Sequence, residues 1–161
     1  RDKKLILMVC TGNTCRSPLA EHLFRESVAG RDDIEVASAG ISACEGSPMS
    51  AESAALLSAR GIGVDGFGSQ PVTPELIERA TFVFAMTHEH LDRLEAEFPE
   101  AEGKCFLVCE FCESVDGQVG GDVPDPIGCG AEAYKAVATT LDRAIPTLVQ
   151  FIDQTCKGAS K

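Results

Sequence analysis

Tryptophan is absent from this 161-residue chain and tyrosine occurs once, at Tyr134, so few amphipathic rings are on hand to clamp a flat ligand. Positive charge is scarce too: 14 Lys and Arg stand against 25 Asp and Glu, a formal net charge of −11. That balance repels polyanions and argues against nucleic acid or an anionic membrane surface as a partner. No stretch approaches the roughly 20 apolar residues of a membrane span, and no signal-peptide pattern opens the chain. Repeats, linkers and low-complexity tracts are missing as well. What remains reads as one domain over residues 1–161. Its 44% hydrophobic and 24% charged residues are ordinary for a globular protein with a single core.

Cysteine is the exception, with eight copies. In a short secreted chain that number would suggest a disulfide scaffold. Here the chain has enough apolar residues to build a core without staples, so a reduced, cytoplasmic protein is expected.

One of those cysteines opens the most informative segment, Cys10-Thr11-Gly12-Asn13-Thr14-Cys15-Arg16-Ser17. The apolar run Leu5-Ile6-Leu7-Met8-Val9 before it has strand length and suits a central parallel strand buried on both faces. After it, Ser17-Pro18 reads as a helix N-cap followed by Pro at the first helical position, with Glu21 adding acidity to the first turn. The helix to about Ala29 would bury Leu19, Ala20, Leu23, Phe24 and Val28. A loop between a strand end and a helix start gathers free N–H groups and the positive end of the helix dipole, so anions settle there. The same field, with Arg16, favours the thiolate of Cys10, which is the competent nucleophile. Arg16 can bind two equatorial oxygens of a phosphoryl group bidentately and gains as their charge develops. Gly12 permits close backbone approach. Asn13 tolerates left-handed geometry and can lock the loop through its amide. Ser17 can donate its hydroxyl to the sulfur. Together these form a cradle for a tetrahedral dianion with a nucleophile at its floor, equipment for cleaving a phosphorylated group through a phosphocysteine.

The element order expected is strand 4–9, helix 17–29, strand 34–38, helix 50–60, short helix 74–79, strand 81–86, helix 88–97, strand 104–108, a long loop and helix 131–155. This alternation predicts an α/β fold of three layers, a central four-stranded parallel sheet with helices on both faces in a Rossmann-like arrangement. Such sheets bind ligands at the carboxyl ends of their strands near the switch point, where Cys10 falls. The Gly-, Pro- and Asp-rich stretch 116–130 is long enough to be functional.

At these residues the chain resembles the low-molecular-weight protein-tyrosine phosphatase family, whose signature is Cys, five residues and Arg, followed by Ser-Pro. Ser38-Ala39-Gly40, Ala85-Met86-Thr87 and Asp125-Pro126 fall where that family has them, so the resemblance runs over nearly the whole length. The loop Cys-Thr-Gly-Asn-Thr-Cys-Arg-Ser-Pro is most similar to the family's protein-arginine phosphatase branch, since tyrosine-directed members usually carry an aliphatic residue at the Thr14 position. The resemblance implies a phosphorylated protein as substrate; no cofactor, no metal and a monomer are expected. It also implies that Thr11, Gly12, Asn13, Thr14, Cys15, Arg16 and Ser17 bind phosphate.

Two carboxylates in Asp122-Val123-Pro124-Asp125-Pro126 compete for the role of general acid. The resemblance assigns it to Asp125, which would protonate the leaving atom and then activate water; Asp122 reads as a loop brace. Both residue types also favour turns before Pro. After Asp-Pro, tyrosine-directed members resemble one another in carrying aromatic residues. Here Ile127-Gly128-Cys129-Gly130 follow. A slim, planar guanidinium suits such a wall better than a phenol, with the Thr14 hydroxyl at the phosphoryl group, as the resemblance implies. Phosphotyrosine is the alternative substrate, and Thr14 the position expected to set the choice. Cys15 is placed to form a reversible disulfide with oxidised Cys10, or else is a small buried residue.

One family feature is missing. A histidine often precedes a Ser/Arg pair in the loop after the second helix, but this chain has Asp65-Gly66-Phe67-Gly68-Ser69-Gln70, leaving Ser38 and Asn13 to hold the phosphate loop. Other patterns fail on context. Cys105, Cys109 and Cys112 have the spacing of an iron–sulfur motif, and with Cys129 that of a zinc site, yet Cys105–Cys109 reads as strand. Gly61, Gly63 and Gly66 fit a dinucleotide fingerprint that follows a helix and precedes none. His88 and His90 are expected in surface or capping roles, and His22 on an exposed helix face. An arsenate reductase of the same fold would need a relay cysteine between His88 and Phe98, where none occurs; Cys44 or the Cys105–Cys112 group would have to substitute. A phosphate-binding module without activity would be expected to have lost Cys10, Arg16 or Asp125.

Overall fold

The computed structural model describes residues 3–114 and 117–159. Its elements run β1 (Lys4–Cys10), α1 (Arg16–Ser27), β2 (Ile34–Gly40), α2 (Ala51–Ala59), α3 (Pro74–Arg79), β3 (Phe82–Ala85), α4 (His88–Glu97), a 3₁₀ turn (Pro99–Ala101), β4 (Cys105–Leu107) and α5 (Ala131–Ala159). Four strands form one sheet in the order β2-β1-β3-β4, all parallel. This is the α/β architecture expected from the alternation of strands and helices.

Alternate residues of β1 feed two cores, as the period of a strand requires. Ile6 and Met8 join Phe82 and Phe84 on the face covered by α1 and α5, with Leu19, Phe24, Leu141, Leu148 and Ile152. Leu5, Leu7 and Val9 join Val83 and Ala85 on the other face, with Ile77 of α3 and Leu94 of α4. The continuous apolar run of β1 is therefore explained by burial from both sides.

The chain leaves β1 for β2 on one side and later returns to β3 on the other. The carboxyl end of β1 is thus the switch point of the sheet, and Cys10 is its last residue. Such a point is where the loops above the sheet diverge and leave a crevice.

Two expectations for α1 need correction. The N-cap is Cys15, and the helix starts at Arg16, so Pro18 is its third residue. Proline is harmless there because the first N–H groups of a helix have no carbonyl to reach. Glu21 lies beyond the first turn, which carries no acidic residue. The 3₁₀ turn had no sequence signal beyond Pro99. Of the long loop, Asp116 lies outside the described residues, and residues 117–130 contain no helix or strand.

Candidate active site

From Cys10 to Arg16 the backbone turns tightly, and its carbonyls are held by the scaffold around it. Cys10 O accepts from Ile41 N (3.0 Å), Thr11 O from Ser42 N (2.9 Å) and Thr14 O from Ser50 N (2.8 Å); Cys15 O accepts from Ser53 Oγ (3.2 Å). A trans peptide points its N–H opposite to its C=O. Fixing these carbonyls outward therefore turns the N–H groups of Thr11, Gly12, Cys15 and Arg16 into the turn, as an anion cradle needs. Gly40 of β2 makes the close approach possible. A Cβ there would lie 2.6 Å from Thr11 O and 2.9 Å from Asn13 N. Gly12 is different: a Cβ would meet only Thr14 Oγ1 at 3.8 Å, so the fold itself leaves room for a side chain there.

Asn13 is the one non-glycine residue with positive φ (58°) among the described residues, and it is fully buried. Its amide is committed on every side. Nδ2 donates to Ser17 Oγ (2.9 Å) and Ser38 Oγ (2.9 Å), while Oδ1 accepts from Gln70 N (2.9 Å). Gln70 Nε2 in turn donates to Ser38 O (2.9 Å), and Ser38 Oγ donates to Glu21 Oε1 (2.5 Å). Ser17 Oγ lies 2.9 Å from Cys10 Sγ. Because Ser17 already accepts from Asn13, its own hydrogen is free for the sulfur. Asn13 N also donates to Cys10 Sγ (3.3 Å).

Arg16 is nearly fully buried, and its Nη1 donates to Val123 O (2.8 Å). Val123 is itself buried, and its N–H is bound to Met86 O at the end of β3 (2.8 Å). The guanidinium thus ties the loop after β4 to the phosphate loop. Asp125, two residues on, brings Oδ2 to 3.9 Å from Arg16 Nη2 and accepts from Ile127 N through Oδ1 (3.1 Å). Asp122 accepts from the backbone N–H of His88 (2.8 Å) and contacts its ring Nδ1 (2.7 Å), so it braces the loop against the first turn of α4. Cys10, Thr11, Gly12, Thr14, Cys15, Arg16, Asp125 and Ile127 enclose a cavity of about 190 Å³. Among the described residues no aromatic side chain lines it, and Ile127, one of its lining residues, stands exposed.

A model of the family described as low molecular weight phosphotyrosine protein phosphatase matches residues 5–157. The chain belongs to this family. A protein-arginine-phosphatase of Geobacillus stearothermophilus is 40% identical over 145 residues, spanning 90% of this chain and 93% of that protein. The low molecular weight protein-tyrosine-phosphatase Etp of Escherichia coli is 32% identical, spanning 86% of this chain and 88% of its own length. Among solved structures, a cysteine-to-serine mutant of the YwlE arginine phosphatase with a phosphorylated active-site serine superimposes with a TM-score of 0.80. It is 34% identical and covers 92% of this chain and 95% of that one.

In this phosphatase two histidines depart from their sequence reading. His90 is buried, not a surface residue: its Nε2 lies 2.8 Å from Thr11 Oγ1. His22 is buried too, with Nδ1 2.8 Å from Pro18 O and its ring edge-on to Phe67. Tyr134 is buried against Cys15, its hydroxyl 3.6 Å from Cys15 Sγ; burial first, then Cys15, push the phenol up to about 12. In place of the missing loop histidine, Gln70 holds Asn13 and Ser38. Glu21 had a sequence signal that was misread, since it sits one turn after Ser17 on the same helix face. Gln70 and His90 had none, because long connections bring them to the site. Cys105 is half-buried in β4, where burial and Glu95 push its thiol up to about 11, unlike the thiolate a metal needs. Among the described residues no three His, Cys, Asp or Glu side chains are grouped to hold a metal ion, and no helix is long and apolar enough to cross a membrane.

Proposed function

We propose that this protein hydrolyses phosphoarginine in proteins through a phosphocysteine intermediate. The observation that carries the reading is the cavity itself, in which Cys10, Arg16 and Asp125 meet beside Thr14 with no ring in the wall. Arg16 grips two oxygens of the incoming phosphoryl group. The Cys10 thiolate attacks phosphorus, the bond from phosphorus to the leaving nitrogen breaks, and Asp125 protonates that nitrogen. Asp125, now a carboxylate, takes a proton from water as the water attacks phosphorus; the S–P bond breaks, releasing inorganic phosphate and regenerating the thiolate. Ser17 and the N–H of Asn13 receive that sulfur as it leaves. The phosphorylated serine in the mutant arginine phosphatase supports covalent transfer to the residue at the corresponding position of the loop.

Thr14 gives the cavity a polar edge suited to a guanidino group, and we assign it the choice of substrate. Cys15 we assign the protection of Cys10, by a disulfide that forms after peroxide converts the Cys10 thiol to a sulfenic acid, with water as the leaving product. The protein is expected to work as a cytoplasmic monomer without metal or cofactor.

The deciding experiment is a pair of steady-state rates, on a phosphoarginine peptide and on a phosphotyrosine peptide of matched sequence. A higher kcat/KM for phosphoarginine supports the reading; a higher value for phosphotyrosine replaces it with the tyrosine phosphatase alternative. Cys10→Ser should abolish turnover of para-nitrophenyl phosphate, and Asp125→Asn should reduce it by roughly 10²-fold or more. Cys10→Ser activity at the parental rate would remove the sulfur from the mechanism.

A further inference from the structure

Phosphoryl transfer by Cys10, Arg16 and Asp125 leaves His90 without a role, although it is 3% exposed and touches the phosphate loop. It lies in the first turn of α4, where its backbone N–H donates to Thr87 Oγ1 (3.1 Å), so the helix cap fixes where its side chain starts. Its Nε2 is 2.8 Å from the hydroxyl of exposed Thr11, the residue that follows Cys10 in the chain and one of those lining the cavity. Its Nδ1 is buried with no hydrogen-bond partner among the described residues.

Those two facts select a tautomer. A neutral imidazole carries one N–H and one bare nitrogen. With the hydrogen on Nδ1, a buried donor would have no acceptor; with it on Nε2, a lone pair at Nδ1 is left over. Orphaned buried N–H groups are the rarer of the two in folded proteins. Burial and the nearby Arg16 also hold the ring neutral, down to about 4, against the opposing pull of Asp122 and Asp125. The Nε2–H therefore donates to Thr11 Oγ1. A hydroxyl that accepts on one side has its own hydrogen to give on another.

We infer that His90 is a positioning residue for phosphoryl transfer: by donating to Thr11 it commits the Thr11 hydroxyl hydrogen to an oxygen of the phosphoryl group in the cavity. In the other tautomer Thr11 would spend its hydrogen on His90 and present lone pairs to a dianion. The inference rests on the phosphatase reading but not on the choice between phosphoarginine and phosphotyrosine.

The test uses para-nitrophenyl phosphate with Thr11→Val, His90→Leu, the double variant and His90→Gln, each first checked by thermal melting. Both single variants should lose about ten-fold in kcat/KM, mostly in kcat, and bind orthovanadate more weakly in proportion. The double variant should be no worse than either single, because both remove one interaction. His90→Gln places an amide N–H where Nε2 stands and should recover activity to within about three-fold of wild type. Additive losses in the double variant would overturn the inference, as would a folded His90→Leu enzyme within two-fold of wild type. If His90→Leu does not fold, the cycle is run with Thr11→Val and His90→Gln. Thr11→Val should then lose its ten-fold in either background, and a loss of less than two-fold overturns the inference. A wild-type protein without any turnover would instead indict the phosphatase reading.

Discussion

Thr14 is the residue at which a few atoms of side chain should change what the enzyme accepts. It lines the cavity beside Thr11, Arg16 and Asp125, and its backbone is pinned by Ser50. Thr14→Ile keeps the branch at Cβ and replaces oxygen with carbon, adding apolar surface at the edge where a phenol ring would rest. The ratio of kcat/KM for phosphoarginine over phosphotyrosine should fall by roughly ten-fold or more; an unchanged ratio in parallel assays would count against Thr14 as the selector. His90 supports a second prediction, on stability. Its folded-state value of about 4 lies below the ordinary 6.5 because of burial, then Arg16 of α1, with Arg93 of α4 adding to it and Asp122 and Asp125 of the acid loop opposing. Between those values the unfolded chain binds the extra proton. The contribution is therefore complete above about pH 6.5 and is lost as the pH falls through about 4. Denaturant unfolding at pH 7 and pH 4.5 should show wild type losing about 2 kcal/mol more than His90→Gln over that interval. Equal losses would mean that the histidine titrates normally.

At the scale of elements, the site depends on how closely β2 can approach the phosphate loop. Gly40 ends β2 opposite Cys10, and its missing Cβ is the space into which Thr11 O and Asn13 N fit. Gly40→Ala must push the loop away by some tenths of an ångström or more, and overpacking of this kind destabilises by about 1–3 kcal/mol. Because the displaced atoms belong to the anion cradle, kcat should drop by roughly 10²-fold while the protein still melts cooperatively. A variant with near-normal kcat would show that the cradle tolerates the shift. Elements were also where sequence reading did best. β1 announced itself through an unbroken apolar run, and the run had to be unbroken because alternate residues serve two cores. Helix α1 was plain from its buried face, but its first residue was misplaced. Ser17-Pro18 looks like a cap, whereas the tight turn already brings Cys15 into helical geometry. Residues within Cys10–Ser17 could be read together because one turn holds them. His90, Gln70 and Tyr134 reach the same turn from α4, the loop before α3, and α5, and no local pattern records a contact across 57 to 119 positions.

For the molecule as a whole, charge works against the site. A formal net charge of −11 surrounds a cavity built for a dianion, so capture of phosphate relies on short-range contacts with Arg16 and the turned-in N–H groups. Exposed charges act on an approaching substrate through water and are screened beyond about 8 Å at physiological salt. The global field should therefore tune encounter rates and leave the chemical step alone. Two phosphopeptides with the same central residue, one flanked by Lys and one by Glu, separate these effects. For the Glu-flanked peptide, kcat/KM should rise a few-fold as ionic strength increases from about 20 to 200 mM; for the Lys-flanked peptide it should fall, with kcat constant in both. The opposite slopes come from sign alone, since screening weakens repulsion in one case and attraction in the other. If kcat/KM for both peptides fell together, added salt would be acting on the pairing of Arg16 with the phosphoryl group and not on the field of the molecule.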